Sequence, residues 1–207
     1  MDNVLNIPAL IILDVKENDI DYHFTVETVA KPSFCPRCGG TNIVGYGRDV
    51  QLFMDTPMHG KRVGLHVKRR RLSCNDCNST FFEPLNDMDD KHRATRRLIG
   101  YIENRALYEA FTKIAGEVGV HEWTVRSIFK DYMNRKQEAY HPATPRFLGI
   151  DEAHLFHKYR CVLADVKERT IIDLLPNRNA STVAEYLRKH ATEPDQDRLY
   201  GYVAALS

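Results

Sequence analysis

Long apolar runs are missing from this chain. Nowhere in its 207 residues do about 18 apolar side chains stand together, the length that a membrane-spanning helix needs. The N-terminal stretch MDNVLNIPALIILDVKEND has an apolar patch but neither a basic leader nor a small-residue cleavage site, so secretion is not expected and the chain reads as cytoplasmic. Internal repeats and low-complexity tracts are absent as well, and 43% hydrophobic with 28% charged residues excludes a disordered chain. The net charge is only +1, so affinity for a polyanion must come from where charges cluster and not from their sum. Cysteine is scarce, at five residues, and in a reducing compartment these are thiols or metal ligands rather than disulfides.

What is present falls into three segments. Residues 4–30 alternate loosely, with IILDV and YHFTVETV on either side of KENDID, which predicts a hairpin. Residues 31–85 hold four of the cysteines among Gly, Pro and β-branched residues. Proline then vanishes between Pro84 and Pro142, and apolar residues recur at three- and four-residue spacing, which predicts helices. HPATPR (141–146) is a linker, after which FLGID, RCVLADV and TIIDLL read as strands, STVAEYLRKHA as a helix and LYGYVAAL as a last apolar run. The expectation is an α+β multidomain chain: a hairpin with a β-rich cysteine module over 1–85, a helical domain over 86–140, and part of an α/β domain over 146–207.

Cys35, Cys38, Cys74 and Cys77 make two C-x2-C pairs, CPRC and CNDC, separated by 35 residues. Each pair suits a tight turn that aims two sulfurs at one point, and two such turns complete a tetrahedral four-thiolate site. The segment between them suits two or three strands, so the module reads as a zinc ribbon with structural Zn²⁺; an iron–sulfur cluster or free thiols are the alternatives. Cys161, alone in a strand, reads as a core thiol.

Between the pairs lies KRVGLHVKRRR (61–71), with six Lys or Arg and no acid. In a strand, Arg62, His66, Lys68 and Arg70 share one face, and Val63, Leu65 and Val67 the other. With Arg69 and Arg71 these residues make a cationic strip suited to phosphates, the alternative being a solvated edge strand that deters aggregation.

FTKIAGEVGVHEWTVRSIFKDYMNRK (111–136) has the spacing of a helix-turn-helix. Ala115 is small where two helices cross, Gly119 suits a left-handed turn, and Val125 packs the second helix back. Ile114, Val118, Val120, Ile128 and Phe129 supply the rest of a core that the upstream helix RATRRLIGYIENRAL completes. His121, Glu122, Thr124, Arg126, Ser127 and Lys130 remain on the outer side of the second helix, from which His121, Thr124, Arg126, Ser127 and Lys130 are the candidate contacts to a major groove. The alternative is a plain helical hairpin. Exposed aromatics for single-stranded RNA would be Tyr46, Phe53 and Trp123, but Trp123 at helical spacing reads as core.

The strand order after the linker is that of an opening ribonuclease H-like fold, in which the first strand carries a metal-binding aspartate. With CPRCGG, RRRLSCNDCNSTFFE, the helix-turn-helix and GIDEAH in this order, nearly the whole chain resembles the bacterial insertion-sequence transposases of the ISL-three type. That resemblance implies N-terminal modules that recognise terminal inverted repeats of double-stranded DNA, and a DDE domain that cuts and rejoins DNA with Mg²⁺. Asp151 matches its first catalytic aspartate; Glu152 projects from the other face of the strand, and Asp165 and Asp173 read as strand-end charges. The second aspartate of the family pattern V-x-D-L-S falls at Ala205 in Val203–Ser207. The resemblance therefore implies a truncated, N-terminal part of a transposase, nucleoid-associated, acting as a homodimer or higher oligomer and binding DNA without cutting it, with Mg²⁺ expected only for an intact catalytic domain. A non-catalytic DNA-binding regulator or inhibitor of transposition is the alternative. An incomplete sheet is also expected to leave apolar surface around Ile172, Leu174 and Val203.

Overall fold

Strands β1 (Leu10–Glu17) and β2 (Asp21–Thr28) form the antiparallel hairpin that the alternation predicts. The Asn18 side chain closes it by accepting the backbone N–H groups of Ile20 and Asp21 at 2.9 and 2.7 Å. In a computed structural model that describes residues 4–140, 145–155, 157–177 and 179–190, the chain divides into two compact units, Met1–Arg135 and Lys136–Ser207. Ala205, Val203 and the run LYGYVAAL lie outside the described residues.

The ribbon strands are β3 (Ile43–Met58) and β4 (Lys61–Cys74), antiparallel and joined at His59-Gly60. At about 3.3 Å per residue they run on the order of 50 Å, and burial divides them in two. From Val44 to Val50 β3 is exposed; from Gln51 onward every second residue, Gln51, Phe53 and Asp55, is buried. The buried half joins the N-terminal hairpin, because β2 lies parallel to β4 with Phe24 opposite Leu65 and Val26 opposite Val67. The hairpin and the ribbon are thus one sheet. β5 (Thr80–Phe82) pairs with the outer part of β4, and two short bridges, β6 (Met88–Asp89) and β7 (Ala94–Thr95), extend the sheet beyond β3. Leu5, Ile7, Leu10, Phe24, Val26, Phe53, Val63, Leu65, Val67 and Met88 form its core, each large side chain contributing about 1.5–3 kcal/mol.

The helical segment forms α1 (Arg96–Arg105), α2 (Phe111–Val118) and α3 (Glu122–Ala139). Leu98, Ile102, Ile114, Ala115, Val118, Val125 and Ile128 are buried together, and Val120 and Phe129 pack against them, as the spacing predicts. Gly119 caps α2 at φ 75°, its N–H donating to Ala115 O at 3.0 Å. A Cβ at this position would lie 2.9 Å from Arg62 Cδ and 3.0 Å from Met54 Cε, so glycine here serves both the left-handed turn and the close seating of that turn on the sheet.

A buried carboxylate ties the two parts together. Asp55, fully buried on β3, accepts Thr95 Oγ1 at 2.6 Å, its neighbour Thr56 N at 2.8 Å and the Arg97 guanidinium. Thr95 is the N-cap of α1 and in turn accepts Leu98 N at 3.2 Å, so one hydroxyl links the strand to the helix start.

In the second unit β8 (Leu148–Leu155), β9 (Lys158–Asp165) and β10 (Thr170–Leu175) make an antiparallel sheet of order β10-β9-β8. Helix α4 (Ala180–His190) packs Val183 and Leu187 on it, with Cys161, Leu163 and Leu175 in the shared core. This sheet with its helix resembles part of a ribonuclease H-like fold. One expectation changes: the strand does not stop at FLGID but runs on through Glu152, Ala153, His154 and Leu155, so the two carboxylates are mid-strand residues. Of the expected apolar surface, Leu174 is 47% exposed while Ile172 packs against the core.

Candidate metal centre and nucleic-acid interface

The two C-x2-C turns meet at the far end of the long ribbon strands. Cys35 and Cys77 sulfurs are 3.8 Å apart, Cys38 and Cys74 sulfurs 3.7 Å, and all four lie within 4.8 Å of one another. Four sulfurs about 2.3 Å from a common centre sit about 3.8 Å apart in a tetrahedron, so the spacing fits zinc. The turns are near copies of each other. Cys35 N donates to Gly40 O at 2.8 Å, and Cys74 N to Ser79 O at 2.9 Å. The residue after each second cysteine, Gly39 at φ 73° and Asn78 at φ 53°, is left-handed, a conformation that suits these two residue types. Arg37 N and Gly40 N each point at a sulfur, Cys35 and Cys38, at 3.4 Å.

Burial raises the Cys35 thiol, but the N–H groups of Cys38 and Arg37 and the Ser79 hydroxyl outweigh it and bring it down to about 6. Cys38 accepts the Gly40 N–H, yet its thiol neighbours and burial push it up to about 12. Ser79 lowers Cys77. Crowded thiols share protons unevenly in this way, and a dication is what lets all four be thiolates at once. Cys35, Cys38, Cys74 and Cys77 are the residues that would hold structural zinc. Cys161 is buried in the second unit, its thiol raised by burial and then by Glu152, as a core thiol should be.

The cationic run is used differently from the sequence expectation. Arg62 forms a two-pronged pair with Asp21 at 2.6 and 2.9 Å, and Lys61 bonds Glu17 at 2.5 Å. Arg69 is 6% exposed, donating to Glu83 O at 2.8 Å, Gln51 Oε1 at 3.0 Å and both oxygens of Asp90. Arg70 is held by Glu83, Thr28 Oγ1 and the carbonyls of Thr28 and Ala30. These are structural side chains: Asp21, Glu83 and Asp90 neutralise what looks like an unopposed strip in the sequence. His66 Nε2 lies 3.1 Å from His23 Nδ1, and burial, then His23, lower its pKa. Lys68 makes no ion pair among the described residues, and exposed Arg71 lies 5.2 Å over Tyr46 and 6.0 Å over Phe82. Phe53, considered above for stacking, is buried.

On α3 the buried side is Val125 and Ile128 and the open side is Trp123, Arg126 and Lys130. His121 precedes the helix, its Nδ1 accepting Trp123 N at 3.1 Å as a cap. Arg126 bonds Glu122 at 2.6 Å and lies 5.4 Å over the Phe111 ring. Thr124 is half-buried, and Ser127 Oγ is 3.3 Å from His92 Nε2, a ring also 3.0 Å from Asp89 and 3.5 Å from Asp131. Ser127 therefore helps anchor α3. Trp123 corrects the sequence reading: it is 67% exposed, not core. Its i, i+3, i+7 relation to Arg126 and Lys130 was the signal that could have placed it on the open side.

Asp151 is exposed, in the row of Val162 and Leu174, and its Oδ1 accepts Glu152 N at 2.7 Å. Glu152 lies opposite Cys161, on the other face, as alternation requires. Asp165 accepts Lys167 N and Glu168 N at 2.9 and 3.0 Å, a turn-forming role. Asp173 lies beside Tyr186, whose phenol is pushed up by burial and then by Asp173. Among the described residues the four cysteines are the one cluster of three or more ligands with metal-binding geometry, and Asp151 belongs to no such cluster.

Comparison with known proteins agrees with this geometry. Residues 31–77 match the zinc-finger of transposase IS204/IS1001/IS1096/IS1165, and residues 83–133 match the helix-turn-helix domain of transposase family ISL3. A transposase for insertion sequence element IS1001 from Bordetella parapertussis is 26% identical over 168 residues, covering 79% of this chain and 41% of that protein. The chain thus spans about two fifths of the length of the curated relative it matches. No solved structure matches it. No helix among the described residues is long and apolar enough to cross a membrane. Residues 31–77 and 83–133 are thus similar to the N-terminal zinc-ribbon and helix-turn-helix domains of ISL3-family transposases.

Proposed function

We propose that this chain is the end-recognition part of an insertion-sequence transposase. It binds the terminal inverted repeats of its element as a homodimer or larger oligomer, on the nucleoid. The observation that carries this reading is helix α3, fixed through Val125 and Ile128 and open along Trp123, Arg126 and Lys130. Residues 1–85, 86–140 and 146–207 serve as hairpin with ribbon, groove reader and start of the catalytic domain. From the cationic run, Lys68 and Arg71 are the phosphate contacts. Among the α3 candidates Arg126, Lys130, Thr124 and His121 face the groove.

Asp151 is the first metal-binding carboxylate of the catalytic domain, on the face of the strand away from Glu152. Ala205 stands where the second belongs, so this chain binds ends without cutting them, because one carboxylate does not hold two Mg²⁺ ions. Selection from a randomised duplex pool tests the recognition: recovery of the inverted repeats that flank the gene supports it, and recovery of a promoter operator instead overturns it. Nicking of those repeats in Mg²⁺ would contradict the non-cutting assignment. Replacing Lys68 and Arg71 together by Ala is expected to weaken binding across sequences and reduce the slope of log affinity against log salt by about 2. An unchanged slope removes them from the interface.

A further inference from the structure

Trp123 is the one tryptophan of the chain and the second residue of α3. Two thirds of an indole in water is a poor use of the most apolar large surface that a side chain offers, and proteins keep such surface where something will cover it. We propose that Trp123 is a specificity-determining residue that reads a thymine methyl group in the major groove, an inference that rests on the DNA-binding reading above.

Position comes first. The N-terminal turn of a recognition helix is the part that reaches base edges, and here that turn is already capped and hydrogen-bonded in the chain alone. Gly119 fixes the entry to α3, His121 Nδ1 caps Trp123 N at 3.1 Å, and His121 O accepts Thr124 N at 2.9 Å. Charge comes second. Trp123 shares its stripe with Arg126 one turn on and Lys130 two turns on, so the indole is flanked by cations that suit a duplex. Arg126 is already engaged by Glu122 and the Phe111 ring, whereas the Trp123 ring has no aromatic or cationic partner among the described residues. Chemistry comes third. An indole carries no charge for a phosphate and has a single N–H donor. The apolar feature of the major groove is the thymine C5-methyl, which apolar side chains recognise.

The test uses the whole chain and a duplex that it recovers from a randomised pool, made once with thymine and once with uracil, which lacks the methyl group. Uracil is expected to weaken the wild type about tenfold. Trp123→Ala should bind both duplexes alike, at the weaker level, and Trp123→Phe should keep part of the preference. Because Trp123 is the sole tryptophan, its fluorescence reports the contact directly: saturation with duplex should shield it from acrylamide. Equal wild-type binding to both duplexes, or undiminished quenching in the complex, overturns the inference while leaving DNA binding intact. Shielding that follows protein concentration without DNA also overturns it and gives the surface to self-association. Failure of the folded chain to bind any duplex overturns both readings.

Discussion

Replacing Cys74 by serine is expected to strip zinc from the chain and melt one end of it only. Zinc content, read by atomic emission, should fall from one per chain to none, since three thiolates leave an open position where four had closed a tetrahedron. The unfolding should stay local, because the two halves of the long strands are held by different means. The outer half, with β3 exposed from Val44 to Val50, depends on the knuckles that Cys35, Cys38, Cys74 and Cys77 tie together. The inner half has its own core in Phe24, Val26, Phe53, Leu65 and Val67. Structural zinc is worth on the order of 10 kcal/mol to small modules, far more than exposed strands supply for themselves. Hydrogen exchange should therefore lose protection over 43–47 and 71–74, beyond the anchored Arg69 and Arg70, and keep it over 51–58 and 61–70. Added zinc should not restore it. Unchanged zinc content in the Cys74→Ser protein would remove the four-thiolate site, and loss of protection throughout the sheet would remove the division into halves.

Much of this arrangement is legible in the sequence because it is written at short range. Cys-x2-Cys turns, the Ala115–Gly119–Val125 spacing and the alternation in YHFTVETV each fix local geometry, and the structure follows them. What escapes is pairing at long range. The run Lys68 to Arg71 has no acid near it in sequence, yet Asp90 reaches Arg69 and Glu83 reaches Arg70 from the segment that returns past β4. A count of charges sees the cations and misses their partners. The same limit hides the joining of the N-terminal hairpin to the ribbon, since a parallel β2–β4 pairing leaves no turn signature between the strands. Trp123 escaped for another reason. Its size and apolarity argue for the core, but it shares a helical stripe with Arg126 and Lys130, away from the buried pair Val125 and Ile128, and position outweighs residue type.

Asp55→Ala is expected to be the most destabilising single change outside the zinc site, by about 3 kcal/mol. The carboxylate is fully buried and collects the Thr95 hydroxyl, the Thr56 N–H and Arg97. Removing it strands Thr95 and Thr56 donors, each costing about 1–3 kcal/mol when left unsatisfied. Arg97 adds less, because it is half-exposed and turns to water when its partner goes. Asp55→Asn separates these contributions: an amide of the same size still accepts from Thr95 and Thr56 but loses the charge, so about 1–2 kcal/mol is the expected cost. The location of the damage matters more than its size. Asp55 belongs to β3 and Thr95 caps α1, so the change loosens the seat of the helix-turn-helix on the sheet. In urea the wild-type first unit should unfold in one transition, and Asp55→Ala should split it, with the helices lost before the sheet. In the proposed reading, groove recognition needs α3 held firmly on the sheet that carries Lys68 and Arg71, so the same variant should bind DNA with less sequence preference even where it remains folded. A single, unshifted transition in Asp55→Ala would mean that apolar contacts alone seat the helices, and that the buried carboxylate is dispensable.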